Sequence, residues 1–164
     1  MNILPLEEQI GQLLRAKGWT LALAESCTGG LLGHRITNIP GASDYFLGSI
    51  VAYAYEAKVK LLGVKWETLQ QYGAVSRETV LEMAHGAREH LGAHIAIAIS
   101  GIAGPTGGTP EKPVGTTWIG LVTPDFVQAY RFQFRGNRDE NKKQATEEAL
   151  RLLWEYLTSR SPAP

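Results

Sequence analysis

A serine at the junction of a strand pattern and a helical pattern is the residue in this sequence best placed for chemistry. The run AESCTGG at 24–30 follows the apolar segment 21–23 and precedes a helical pattern. Ligands of open α/β sheets gather outside the carboxyl ends of the strands, and the first amides of a helix lack partners within it. We therefore predict Ser26 as a candidate nucleophile, with the amides of Thr28, Gly29 and Gly30 as candidate donors to the oxyanion. The alternative is that the small residues of this run only let the turn pack tightly.

A serine hydroxyl needs a base, and Tyr53 and Lys58 are the candidates. The apolar segment 46–53 predicts a strand that ends near Tyr53 and delivers both residues to the sheet edge of Ser26. A lysine is a base only when neutral, and at a pKa of ~10.4 about one in a few thousand is neutral at pH 7. Burial of Lys58 would have to lower its pKa. The alternative is a rim tyrosine and a solvated lysine, as is usual for both residue types.

Cys27 is the alternative nucleophile, since a thiolate is intrinsically more reactive than a hydroxyl. Neighbouring residues on a tight turn point in different directions, and cysteine is among the residue types most often buried. We expect Cys27 to pack in the core while Ser26 reacts.

Several familiar sites are missing from the sequence. The four histidines form no H-E-x-x-H pair and only one cysteine is present, so we expect no metal. The segment 101–108 has neither the Walker A spacing nor the G-x-G-x-x-G spacing, and Ser26 lies in neither G-x-S-x-G nor S-x-x-K. We expect no cofactor.

The composition favours one domain, 1–164, that acts on a small molecule. Sixteen Lys and Arg balance sixteen Asp and Glu in 164 residues, which gives no basic footprint for nucleic acid. Residues 1–17 are amphipathic and charged, unlike a signal peptide or a membrane span. We expect a cytoplasmic protein, with a closed homodimer as the commonest oligomer and a frayed tail at 159–164.

Apolar periodicity predicts alternating helices and strands around these residues. Predicted helices cover 5–17, the segment after Gly30, 57–62, 66–72, the segment capped by Ser76, and a last helix with an Asn137–Glu140 capping box. Predicted strands cover 20–24, 46–53, 94–100, 115–122 and 126–134. The strand at 94–100 is apolar on both faces, so we predict a three-layer α/β/α domain with this strand near its centre.

Five motifs along the chain occur together in one known family. They are AESCTGG at 24–30, VAYAYEAK at 51–58 with LLGV at 61–64, GAVS at 73–76, SGIAGPTGG at 100–108 and KPVGT at 112–116. In order and spacing, from about Leu6 to Leu157, they resemble the CinA C-terminal domain family, which includes the nicotinamide mononucleotide deamidases. The resemblance implies a three-layer α/β/α sandwich with a mixed sheet of about five strands.

The resemblance also implies an activity. It is hydrolysis of the carboxamide of nicotinamide mononucleotide to nicotinic acid mononucleotide and ammonia, in pyridine nucleotide salvage, without a metal. By motif match, Ser26 would be the nucleophile, Lys58 the base, and Tyr53 would assist proton transfer. Two alternatives stay open: an amidase for another small amide, and a catalytically silent ligand-binding or partner domain of the same fold.

A phosphate on that substrate would explain an unusual cluster of charge. Four cations crowd the predicted start of the last helix: Arg135, Arg138, Lys142 and Lys143. The helix dipole disfavours cations there and favours anions, so we predict that Arg138 binds the phosphate. Amides of the long loop would assist it, at Gly101, Gly104, Gly107 and Gly108. Because Asp139 and Glu140 suit the dipole, a mixed, solvated helix start is the alternative.

Three positions depart from the family pattern. Tyr55 stands where many members have Asn, and Asn137 stands where the family has Asp in G-D-R. Lys142 stands where an arginine is frequent, which would replace a bidentate fork by a point charge if that position touches phosphate.

Overall fold

The computed structural model of this chain describes residues 3–159. The predicted frayed tail, 159–164, lies outside that range apart from the helical backbone of residue 159. The described elements run in the order α1 (Leu6–Lys17), β1 (Leu21–Glu25), α2 (Leu31–Thr37), a 3-10 turn (Ala42–Asp44), β2 (Phe46–Val51), α3 (Tyr55–Leu62), α4 (Trp66–Tyr72), α5 (Arg77–Leu91), β3 (Ile95–Gly101), β4 (Thr116–Val122), β5 (Val127–Gln133) and α6 (Arg138–Ser159).

The strands form one mixed five-stranded sheet in the order β2-β1-β3-β4-β5. Strands β2, β1 and β3 are parallel, with Ala24 paired to Ile50 on one side and to Ala98 on the other. Strands β4 and β5 run antiparallel to their neighbours. The carboxyl ends of β1, β2 and β3 therefore meet at one edge of the sheet, where the predicted nucleophile, the predicted base and the glycine-rich loop all begin.

Side-chain size differs between the two faces of the sheet. Leucines and isoleucines of β1 and β3 pack toward α1, α2 and α6, whereas the alternate alanines of both strands pack toward α3, α4 and α5. The small face lets α5 lie close, since a Cβ on Gly120 of β4 would be 3.0 Å from the Val80 carbonyl oxygen. Helices thus cover both faces, which confirms the predicted α/β/α class.

Helix α3 is held against α5 by a contact that leaves no room for a side chain. A Cβ on Gly86 of α5 would lie 1.8 Å from the carbonyl oxygen of Leu62, the last residue of α3. Gly63, in the left-handed conformation at φ 71°, ends α3 as predicted. The depth of α3 in the fold, and with it the position of Lys58, is therefore fixed by backbone packing.

Most predicted helix signals are confirmed. The Ser76 hydroxyl accepts a hydrogen bond from the Thr79 amide at 3.1 Å. Asn137 and Glu140 form the capping box, with both side-chain to amide distances at 2.8 Å. The predicted strand 46–53 is too long, because β2 ends at Val51 and the next two carbonyl oxygens turn toward Lys58.

Candidate active site

Ser26 lies directly beyond the carboxyl end of β1. Its amide donates to the Ile99 carbonyl oxygen of β3 at 3.1 Å, and its own carbonyl accepts from the Gly29 amide at 3.1 Å. Gly29 and Gly30 adopt positive φ angles of 61° and 107°, which lets the chain turn at once into α2. Ser26 is buried, with 7% of its surface exposed, and its main chain is held by hydrogen bonds on both sides.

The Lys58 side chain reaches Ser26 from α3, the helix that follows β2. Its Nζ donates to Ser26 Oγ at 2.9 Å, to the Ala52 carbonyl oxygen at 3.0 Å and to the Tyr53 carbonyl oxygen at 2.8 Å. Lys58 is 1% exposed. The predicted nucleophile and the predicted base therefore meet, and the solvated-lysine alternative is wrong for this residue.

Burial gives Lys58 the electrostatics that a base needs. Loss of solvent lowers its pKa from 10.5 to about 8. At that pKa about one lysine in ten is neutral at pH 7, compared with about one in a few thousand for a free lysine. When the amine is neutral, two N–H groups can stay on the two carbonyls while the lone pair faces the Ser26 hydroxyl.

Cys27 packs in the core, as predicted. It is buried in the cluster beneath α2 and α6, and desolvation raises its pKa to about 11. A thiol with that pKa carries little thiolate near neutral pH, which favours Ser26 over Cys27 as the nucleophile.

Glu25 is the residue of this site that our sequence analysis missed. Its fully buried carboxylate accepts five hydrogen bonds. The donors are the Thr28 hydroxyl at 2.7 Å, the Gly30, Leu32 and Gly33 amides at 3.1, 3.0 and 2.9 Å, and the Ser49 hydroxyl at 2.6 Å. The available signal was an acidic residue inside an apolar strand, one position before the turn.

The Glu25 contacts bear on the predicted oxyanion donors. The Gly30 amide donates to Glu25, and the Gly29 amide donates to the Ser26 carbonyl. Within residues 3–159, no protein acceptor is bonded to the Thr28 amide. Of the three amides predicted to hold an oxyanion, only that of Thr28 is not already used within the turn.

Tyr53 contacts Lys58 through its main chain. Tyr53 is 63% exposed, and its hydroxyl accepts from Arg138 Nη2 at 3.1 Å. Tyr55, which departs from the family pattern, packs its ring 6.4 Å from that of Trp66. The Tyr53 ring therefore belongs to the rim, beside the predicted phosphate ligand.

Arg138 links α6 to the long loop after β3. Its Nη1 donates to the Gly104 carbonyl oxygen at 2.7 Å. Asn141, one turn further along α6, donates from Nδ2 to the Ala103 carbonyl oxygen at 3.0 Å and accepts from the Gly136 amide at 2.9 Å. These contacts lie at a cavity of about 530 Å³, lined by Ala103, Pro105, Val114, Gly136, Asn137, Arg138 and Asp139.

The glycines of this loop permit tight packing of the loop on its own base. A Cβ on Gly104 would lie 2.4 Å from Val114 Cγ1, and one on Gly108 would lie 2.7 Å from the Val114 amide nitrogen. A Cβ on Gly101 would lie 2.5 Å from Thr117 Oγ1. Gly107, with φ 95°, has more room, since its nearest contact is 3.5 Å away.

Lys142, the third departure from the family pattern, lies beside the turn at 26–30. Its Nζ would be 3.9 Å from a Cβ on Gly29. Its charge also opposes the rise in the Cys27 pKa that burial causes. Positive charge from α6 thus faces the turn that carries Ser26.

Metal-ligand clusters and membrane-spanning helices are both absent from the described residues. Residues 3–159 contain no group of three or more His, Cys, Asp or Glu residues that could hold a metal ion. In the same range, no helix has the length and hydropathy of a membrane span.

Comparison with known proteins assigns the family. The CinA C-terminal domain family matches residues 3–157, nearly the whole described chain and every motif at the site. The chain belongs to the CinA C-terminal domain family.

Relatives in the CinA family resemble this chain closely over part of their length. The chain is 53% identical over 155 residues to a putative competence-damage inducible protein of Moorella thermoacetica, covering 94% of this chain and 37% of that protein. It is 46% identical over 155 residues to a CinA-like protein of Thermotoga maritima, covering 94% of this chain and 38% of that protein. The chain thus spans less than two fifths of these curated relatives.

Solved CinA structures have the same fold. A crystal structure of the competence damage-inducible protein A from Klebsiella pneumoniae is 36% identical, with a TM-score of 0.91 over 95% of this chain and 97% of that chain. The competence/damage inducible protein CihA of Agrobacterium tumefaciens is 38% identical, with a TM-score of 0.86 over 93% of this chain and 97% of that chain. The mixed five-stranded sheet is the fold of the CinA superfamily.

Proposed function

We propose that this CinA domain is an amidase that hydrolyses nicotinamide mononucleotide to nicotinic acid mononucleotide and ammonia. The observation that carries the proposal is the buried Lys58 Nζ at 2.9 Å from Ser26 Oγ. A serine bonded to an amine of lowered pKa is an arrangement suited to acyl transfer. The family resemblance supplies the substrate.

The reaction proceeds in two halves. Neutral Lys58 takes the Ser26 proton as Oγ attacks the carboxamide carbon, and the carbonyl oxygen becomes an oxyanion. The resulting ammonium returns that proton to the nitrogen of the substrate, the carbon–nitrogen bond breaks, and ammonia leaves an ester on Ser26. Lys58 then takes a proton from water, which attacks the ester and releases the acid as Oγ is protonated again.

The oxyanion needs donors beside Ser26. The Thr28 amide is the donor we assign, because the Gly29 and Gly30 amides already have acceptors within the turn. A preorganised amide directed at the developing charge stabilises the transition state more than the ground state.

The phosphate end of the substrate is assigned to Arg138 and the cavity beside it. Arg138 already donates to the Gly104 carbonyl and to the Tyr53 hydroxyl, so its guanidinium is held in place at the cavity that it lines. Lys142 adds positive charge near Gly29. Tyr53 is proposed to contribute its carbonyl to Lys58 and its ring to the rim of the site.

Ammonia release tests the proposal. Purified protein is incubated with nicotinamide mononucleotide, and ammonia and nicotinic acid mononucleotide are measured together, with Ser26→Ala as the control. Equal amounts of both products from the wild type alone support the activity. Release from other small amides instead would make it an amidase of different specificity, and no release from any amide would favour a silent binding domain.

A further inference from the structure

Glu25 presents a buried charge that the reaction described above does not use. Glu25 is 0% exposed, and no ion pair joins it to a cation within residues 3–159. A buried carboxylate is costly unless it is fully hydrogen-bonded. Here five donors meet its two oxygens, three at Oε1 and two at Oε2.

These donors tie together the segments that meet at the nucleophile. Gly30, Leu32 and Gly33 belong to the entry and first turn of α2, Thr28 lies inside the nucleophile turn, and Ser49 belongs to β2. Glu25 itself is the last residue of β1 and immediately precedes Ser26 in the sequence. The Glu25 side chain, which extends from β1, thus binds the 26–30 turn, the start of α2 and strand β2.

The first amides of α2 already have acceptors within the protein, because those of Gly30, Leu32 and Gly33 donate to Glu25 and that of Leu31 donates to the Thr28 carbonyl. A Cβ on Gly33 would be 3.4 Å from Glu25 Oε2 and 3.2 Å from Ser49 Cβ. Helix amides that would otherwise attract a substrate anion are therefore satisfied from within the protein. That leaves the cations of α6 to meet substrate charge.

We propose that Glu25 is a positioning residue: its carboxylate serves as a built-in anion at the start of α2 and fixes the turn so that Ser26 Oγ faces Lys58. This inference rests on the proposed Ser26 chemistry. A displacement of about 1 Å in a reacting group can cost about 100-fold in rate, so a looser turn acts on catalysis before it acts on binding.

The test uses Glu25→Gln with Glu7→Gln as a matched control. Gln keeps the shape of Glu25, but its NH2 group would face N–H or O–H donors that now bond to a carboxylate oxygen. Glu7 is also a buried glutamate bonded to α2, through Arg35, but it lies on α1 away from the turn. Amide hydrogen exchange in residues 26–33 should accelerate at least tenfold in Glu25→Gln and stay unchanged in Glu7→Gln. Unchanged exchange in Glu25→Gln would overturn the proposal.

Ser26 reactivity is measured on the same proteins with a serine-directed fluorophosphonate, alongside kcat and KM. Glu25→Gln should label 10- to 100-fold more slowly and lose kcat by a similar factor at unchanged KM, whereas Glu7→Gln should lower only the melting temperature. Normal labelling and kcat in a folded Glu25→Gln protein would make Glu25 merely structural. If that variant does not fold, Ser49→Ala, which removes one of the five donors, should show a smaller loss of kcat, and an unchanged kcat there overturns the proposal.

The labelling separates the two proposals. If the wild type labels at Ser26 but releases no ammonia from nicotinamide mononucleotide, the proposed substrate fails and the Glu25 inference is still decided by exchange and labelling. If wild-type Ser26 does not label, Ser26 is not an activated nucleophile and both proposals fail.

Discussion

The Nζ atom of Lys58 and the Oγ atom of Ser26 lie 2.9 Å apart, although Ser26 follows β1 and Lys58 belongs to α3, which follows β2. The contact exists because β1 and β2 are parallel neighbours, so that the turns after both strands open at the same edge of the sheet. Two carbonyl oxygens after β2 complete the surroundings of the amine.

Ser26→Ala is expected to abolish turnover while the fold and substrate binding persist, because the hydroxyl is needed only for covalent chemistry. Cys27→Ser should retain most activity, since burial raises the pKa of this thiol to about 11. Ammonia release and a melting curve for both variants check this. An inactive, folded Cys27→Ser protein beside an active Ser26→Ala protein would identify Cys27 as the nucleophile.

The pH profile of kcat/KM should rise about tenfold per pH unit below the depressed Lys58 pKa and level off above about pH 8. Lys58→Arg should be inactive at every pH, because a guanidinium keeps its proton in this range. Steady-state rates from pH 6 to pH 10 provide the measurement. A flat profile, or near-normal rates in Lys58→Arg, would remove Lys58 as the base.

The free energy of unfolding should also depend on the titration of Lys58. Because burial lowers the Lys58 pKa from 10.5 to about 8, the unfolded chain binds more protons between these values. The free energy of unfolding therefore increases as pH rises from about 8 to 10.5. Below that range the folded protein carries the full free-energy cost of burying a charged Lys58. Relative to Lys58→Met, the wild type should gain about 2 kcal/mol between about pH 7.5 and pH 10.

Urea unfolding of both proteins across that range measures the difference. Comparison with Lys58→Met largely cancels the titration of other groups, including Cys27. Parallel pH curves for the two proteins would mean that Lys58 keeps an ordinary pKa in the folded state.

Arg138→Ala is expected to lower kcat/KM for nicotinamide mononucleotide by about 100-fold and to change the rate on the dephosphorylated riboside little. Lys143→Ala is the matched control, because it removes one positive charge from the same helix start at a side chain that is 67% exposed and paired with Asp139. Kinetics on both substrates decide the question. Equal losses on nucleotide and riboside would mean that Arg138 supports the loop through Gly104 and does not recognise phosphate.

Activity is expected to survive exhaustive dialysis against EDTA. The proposed chemistry uses only Ser26, Lys58 and main-chain groups, and the described residues offer no cluster of metal ligands. Ammonia release before dialysis, after dialysis and after addition of a divalent ion is the measurement. Loss of activity that only the ion restores would contradict the mechanism.

Sequence patterns alone predict the alternation of helices and strands, several helix caps, and the position of Ser26 at the turn after β1. Local signals carry these features, as the Asn137–Glu140 capping box and the Gly63 helix end illustrate. The buried, two-faced apolar pattern of β3 likewise placed it at the centre of the sheet. The motif match predicts that Tyr53 assists proton transfer, and that role stays a prediction: the structure adds that the Tyr53 carbonyl accepts from Lys58 and that its hydroxyl accepts from Arg138.

The surroundings of Ser26 follow from long-range packing. The lowered pKa of Lys58 follows from its burial, and α3, which carries it, packs closely on α5 where Gly86 meets Leu62. The Glu25 contacts depend on β2 pairing beside β1, which brings in Ser49 from 24 residues away. Burial and long-range hydrogen bonds are properties of packed neighbours, so no local pattern in the sequence contains them.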